Sequence, residues 1–168
     1  MHSWGNYDNT ERCKYCSREI KSWQRAGELA DQMIELAEEL GMRMRFVTLT
    51  VPNYQDKHAG LADLKKKVRN FRHREAFKAK VAGGCDFYEW TEASDGTHNV
   101  HYHGVWIGKY WKQEDLTHEW GEGHTWIELI KKKYEAYDTV RYATKYLNKQ
   151  KEYGIRCKQT FGELYNRK

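Results

Sequence analysis

The sequence predicts an α+β domain built on one central antiparallel β-sheet with flanking helices. Three observations predict it. The hydrophobic period switches between helical and strand spacing along the chain, and a turn signal joins two strand-like segments into a hairpin. The elements then follow in the order strand, helix, hairpin, strand, helix, strand, which suits a sheet with helices on one side. At 168 residues the chain has the length of a single domain, 1–168, with residues 1–23 as an irregular or zinc-binding N-terminal extension.

Taken in order, residues 24–40 place Leu29, Met33, Ile34, Ala37 and Leu40 at helical spacing, and Gly41 supplies the stop. Glu28, Asp31, Glu35, Glu38 and Glu39 make the other face of this helix acidic. Residues 45–51 are apolar and β-branched and end at Pro52-Asn53, the signature of a buried strand. A helix over 59–81 puts Leu61, Leu64, Val68 and Phe71 inward. Gly83-Gly84 reads as a breaker, after which 86–92 and 100–107 form a hairpin around Ser94-Asp95-Gly96-Thr97. A short helix over 113–120, a strand over 125–130, a helix over 138–149 and an edge strand over 155–160 complete the pattern.

Charge is unevenly distributed. Residues 1–42 carry five basic and eight acidic side chains, a net of −3, so the remainder carries +8 of the overall +5. Eight basic residues fall between Lys65 and Lys80, and the chain holds 7 Trp, 12 Tyr and 5 Phe. Cations displace counterions from phosphates and aromatic faces stack unpaired bases, so Lys65, Lys66, Lys67, Arg69, Arg72 and Arg74 are candidates for contact with a nucleic-acid strand. No run of 18 apolar residues and no secretory signal is present, which points to a cytoplasmic protein without a membrane span. No GxxxxGK phosphate loop occurs, so no helicase domain is expected. Four cysteines are too few and too scattered for a disulfide framework. Cys13 and Cys16 have zinc-ligand spacing, but a closed site needs four ligands, and a reduced thiol pair is the plainer reading.

The residues with most chemistry are His101-Tyr102-His103. Strand side chains alternate, so both imidazoles share a face while Tyr102 points the other way. Two such rings begin a divalent-metal site that a carboxylate would complete. Glu89 and Glu92 on the partner arm differ in parity, so only one can join the histidines, and the turn length leaves open which. His98 is a further neighbour, whereas His58, His73, His118 and His124 read as surface or packing residues. Later in the chain Tyr142, Lys145, Tyr146 and Lys149 form two i, i+4 pairs along a helix, placing phenols beside ammonium groups able to activate them.

In this order, and preceded by Phe46-Val47-Thr48-Leu49-Thr50, these motifs resemble those of the HUH endonucleases, and among them the rolling-circle replication initiators of plasmids and single-stranded DNA phages. The resemblance spans about residues 24–162, with a weaker match at Gly154-Ile155-Arg156 and Phe161-Gly162. It implies a ferredoxin-like sheet, and Mg²⁺ or Mn²⁺ held by His101, His103 and an acidic residue, Glu89 in preference to Glu92. It further implies attack by Tyr142 or Tyr146 on the scissile phosphate of a single-stranded, hairpin-bearing origin in a bacterial or archaeal host, assisted by Lys145 and Lys149. A 5′-phosphotyrosyl link and a free 3′-OH result, and a host helicase and polymerase would act with the protein. Two other readings compete. One is a small HUH transposase. The other is a non-catalytic module binding single-stranded DNA or RNA, with Phe46, Tyr88, Trp90, Tyr102 and Trp106 as stacking platforms.

Overall fold

The computed structural model describes residues 14–150 and 158–167, with the backbone alone described for 14–19, 145–150 and 158. Ten elements follow one another: α1 (Lys14–Leu40), β1 (Arg43–Thr50), α2 (Lys57–Arg72), α3 (Glu75–Lys80), β2 (Val81–Glu92), β3 (His98–Gly108), α4 (Gln113–Trp120), β4 (Thr125–Leu129), α5 (Lys133–Gln150) and β5 (Lys158–Gly162). The strands form one sheet in the order β4-β1-β3-β2-β5, and every neighbouring pair is antiparallel. The first four strands, with helices between β1 and β2 and between β3 and β4, make the ferredoxin-like unit; β5 extends it beyond β2. No described helix is long and apolar enough to cross a membrane.

Local chemistry sets the boundaries. Asp56 caps α2 by accepting from the backbone N–H groups of His58 and Ala59 at 3.1 and 3.2 Å. Arg69 and Arg72 sit in its last, electronegative turn. Gly121 ends α4 in the left-handed conformation with φ 66°. The helix expected over 59–81 is two helices that break at His73 and Arg74, a break that lets Phe71 and Phe77 meet edge to face above Trp106. Helix α1 begins at Lys14, so residues 14–23 are helical and not an irregular extension. Residues 155–157 of the expected edge strand lie outside the described residues, and β5 occupies 158–162.

Gly83-Gly84 lies inside β2 and does not break it. A Cβ on Gly84 would stand 2.2 Å from the Val105 carbonyl oxygen, so the glycine permits a close approach of β3. Gly104 serves the other side of β3: a Cβ there would fall 2.3 Å from the Tyr102 hydroxyl and 2.5 Å from Trp106 Nε1.

Helices cover both faces of the sheet, not one. On the first face, Phe71 and Phe77 pack on Trp106, Arg72 pairs with Asp86, and Lys65 lies over the Tyr88 ring, so α2 and α3 cover this side. Trp120 of α4 joins them through Phe71. The alternate strand residues Met44, Cys85, Phe87, Val105 and Ile107 face the other way and are buried too. They lie under α1 and α5, which pack on each other and reach β1, β2 and β3. Those two helices run antiparallel: Lys133 pairs with Glu38 at 2.7 Å, Tyr137 bonds Asp31, and the Arg141 guanidinium stacks on Trp23 at 3.7 Å. Two apolar faces on the central strands require two helical layers.

Candidate metal centre

The hairpin register resolves the parity that sequence left open. The loop closes through Ala93 N–H to Thr97 O at 2.8 Å, with the Asp95 carboxylate accepting from the Thr97 backbone N–H at 2.9 Å. This sets Glu92 opposite His98 and Glu89 opposite His101. Glu89 therefore shares the histidine face, whereas Glu92 and His98 belong to the other. There the His98 ring lies 3.1 Å from the Gln55 carbonyl oxygen.

Glu89 Oε1 lies 3.0 Å from His101 Nε2 and 2.7 Å from His103 Nε2. One ligand atom from each of the three residues lies within 4.8 Å of the others, and all three side chains are half-buried. The other ring nitrogens are also held. His101 Nδ1 is 3.1 Å from Asn99 Oδ1, and His103 Nδ1 is 3.0 Å from the Thr48 hydroxyl. Phe46 stacks on His103 with ring centroids 5.4 Å apart. The Phe46–Thr50 strand thus orients the second histidine.

This arrangement fits a divalent cation. With Nδ1–H donated to the Asn99 oxygen, Nε2 of a neutral His101 points a lone pair at a carboxylate oxygen, and the two repel unless a cation lies between them. Burial alone would raise the Glu89 pKa, but the hydrogen bonds from His101 and His103 outweigh it and hold the carboxyl at about 2. The cluster therefore presents an ionised oxygen and two imidazole nitrogens, a donor set for a small divalent ion.

Tyr102, between the histidines, points into the opposite layer and is fully buried. Its hydroxyl donates to Asp86 Oδ1 at 2.6 Å and accepts from Trp106 Nε1 at 2.7 Å, while Asp86 pairs with Arg72, whose guanidinium lies 4.0 Å above the Phe161 ring. Burial drives the Tyr102 hydroxyl pKa well above that of a free phenol. Nothing in the sequence singled out Asp86, although a lone acid in a strand of aromatic residues was the available signal.

The chain leaves β4 at Leu129, opposite Arg45, and re-enters the sheet at Lys158, opposite Phe87 and hence beside His103. Helix α5 makes that passage on the histidine face and carries positions 142 and 146 in its later half. Tyr142 is exposed. The side chains of Lys145, Tyr146 and Lys149 lie outside the described residues, as do Cys13, His2, Cys157 and the side chain of Cys16.

The basic cluster of α2 lies on the far face. Lys67 pairs with Asp63 at 3.2 Å and Glu122 at 3.0 Å, and Arg74 donates to the Glu119 carbonyl. Arg72 is engaged by Asp86, while Lys66 and Arg69 are exposed. The structure does not bring this cluster to the metal centre.

Against known proteins, a family model for replication-associated proteins of the ORF2 type matches residues 44–151. That span runs from β1 through the cluster to the end of α5. No curated protein and no solved structure matches the chain.

Proposed function

The chain belongs to the ORF2-type family of replication-associated proteins, and from that premise we propose that it nicks and rejoins single-stranded DNA at a replication origin through a phosphotyrosyl intermediate. The observation that carries this reading is the Glu89–His101–His103 cluster on the face of the sheet that α5 covers. Glu89, His101 and His103 would hold Mg²⁺ or Mn²⁺, and such an ion supplies Lewis-acid polarisation of a phosphate oxygen when bound.

The residues divide the remaining work. Asn99 and Thr48 hold the imidazoles with Nε2 toward the cluster, so no reorganisation is needed when the ion and strand arrive. Tyr142 or Tyr146 serves as nucleophile: its oxygen bonds to phosphorus, the phenolic proton is lost, and the 3′ oxygen leaves as the hydroxyl. Lys145 and Lys149, one helical turn apart, would lower the cost of the phenolate. The diester is exchanged for another diester, so a released 3′-OH can reverse the step without ATP. A host helicase and polymerase would open and extend the strand.

Burial weakens the non-catalytic alternative, because Tyr88, Tyr102 and Trp106 are 4%, 0% and 3% exposed and cannot stack bases. Incubation with hairpin-bearing oligonucleotides is the test. A covalent adduct resistant to denaturation is expected with Mn²⁺ and absent in EDTA; tight binding without an adduct in either condition contradicts the proposal.

A further inference from the structure

We infer that Trp126 is a stacking platform for an unpaired base of the strand engaged at the metal centre. The inference rests on the nickase reading for the presence of that strand, and it names the contact that grips it beside the reacting phosphate.

Register places the residue. Trp126 pairs with Thr48, and Thr48 pairs with His103, so the three share one face and one row across the sheet. Two strand spacings separate Trp126 from His103, roughly 10 Å. The Thr48 hydroxyl, already on the His103 ring, fills the position between them.

The indole is both rigidly mounted and uncovered. On its inner side β4 pairs with β1. On its outer side Gln113 of α4 clamps the edge strand: its Oε1 accepts from Ile127 N–H at 3.0 Å and its Nε2 donates to the Thr125 carbonyl at 2.6 Å. The backbone on either side of Trp126 is thereby fixed, yet the residue is 60% exposed. A singly exposed aromatic is ordinary on a protein surface. This one differs in lying in the row of a metal ligand on a strand held from both edges. The other described strand aromatics of this face are committed, Phe46 to the His103 ring and Phe87 to the core. Every base offers a π-face, so such a platform grips single strands with little sequence preference, and a paired base inside a duplex cannot reach it.

The test compares fluorescein-labelled thymidylate dodecamer with an abasic sugar-phosphate dodecamer, both in EDTA so that binding is read without cleavage. The protein is expected to prefer the thymidylate strand. Trp126→Ala should weaken thymidylate binding roughly five- to hundredfold, leave abasic binding within about twofold, and so remove most of the preference; Trp126→Phe should restore much of it. Mn²⁺ binding by Trp126→Ala, followed by electron paramagnetic resonance, should match the unsubstituted protein and show that the register of β1 and β3 is intact. No preference in the unsubstituted protein, equal losses on both strands, or an unchanged preference in Trp126→Ala overturns the inference. Because no cleavage is required, a failed nicking assay leaves this readout standing, and active nicking with a flat thymidylate preference removes the platform alone.

Discussion

Glu89→Ala is expected to abolish Mn²⁺ binding at the His101–His103 pair and to slow strand cleavage by on the order of a thousandfold, the equivalent of several kcal/mol of lost charge stabilisation. Glu89 supplies the anionic ligand of the cluster, and its oxygen touches both imidazoles at 3.0 and 2.7 Å. Its removal leaves two neutral nitrogens, too weak a set for an oxygen-preferring ion. Thr48 and Asn99 would still hold the rings, so the fold should survive and the loss should be specific to metal. Glu92→Ala is the matched control, because Glu92 lies across from His98 on the other face. Calorimetric titration with Mn²⁺ and cleavage rates measure both effects. Metal affinity retained in Glu89→Ala, or lost in Glu92→Ala, contradicts the assignment.

Asp86→Ala is expected to cost about 3–5 kcal/mol of folding stability, because it strands a buried guanidinium. Asp86 is fully buried, pairs with Arg72 and accepts from Tyr102 at 2.6 Å. Removing the carboxylate leaves Arg72 without its counter-charge and Tyr102 without its acceptor. A domain of this size has about 5–15 kcal/mol to lose, so the variant should lie near the edge of folding at 37 °C. Replacing both partners, Asp86→Leu with Arg72→Met, should be milder than the single change, since no charge is then left unpaired. Urea unfolding reads both. A single variant as stable as the unsubstituted protein would show that the pair is not what holds β2 to α2.

The metal pair was legible in sequence because alternation along a strand needs no tertiary information: His101 and His103 share a face in any register. The carboxylate was not, because one residue more or less in the loop would exchange Glu89 for Glu92, and only the Ala93–Thr97 closure decides. Helix positions were read well where apolar spacing was regular, and poorly where packing overrode it, as at His73 and Gly83-Gly84. The strand aromatics misled for a related reason. Tyr88, Tyr102 and Trp106 resemble an exposed binding surface until α2 and α3 are known to cover them. Trp126 went unnoticed because its exposure depends on the Gln113 clamp, a contact between elements. The charge of the 65–80 segment was visible, but its use by Asp63, Asp86 and Glu122 was not.

The proposed chemistry turns on a phenol of α5 forming the bond to DNA under control of the Glu89–His101–His103 cluster. Peptide mapping of the Mn²⁺-dependent adduct tests it most directly. A nucleotide-bearing peptide modified at Tyr142 or Tyr146 is expected, absent from the Tyr142→Phe, Tyr146→Phe double variant and from Glu89→Ala. An adduct on any other residue, or one that persists in the double variant, would contradict it.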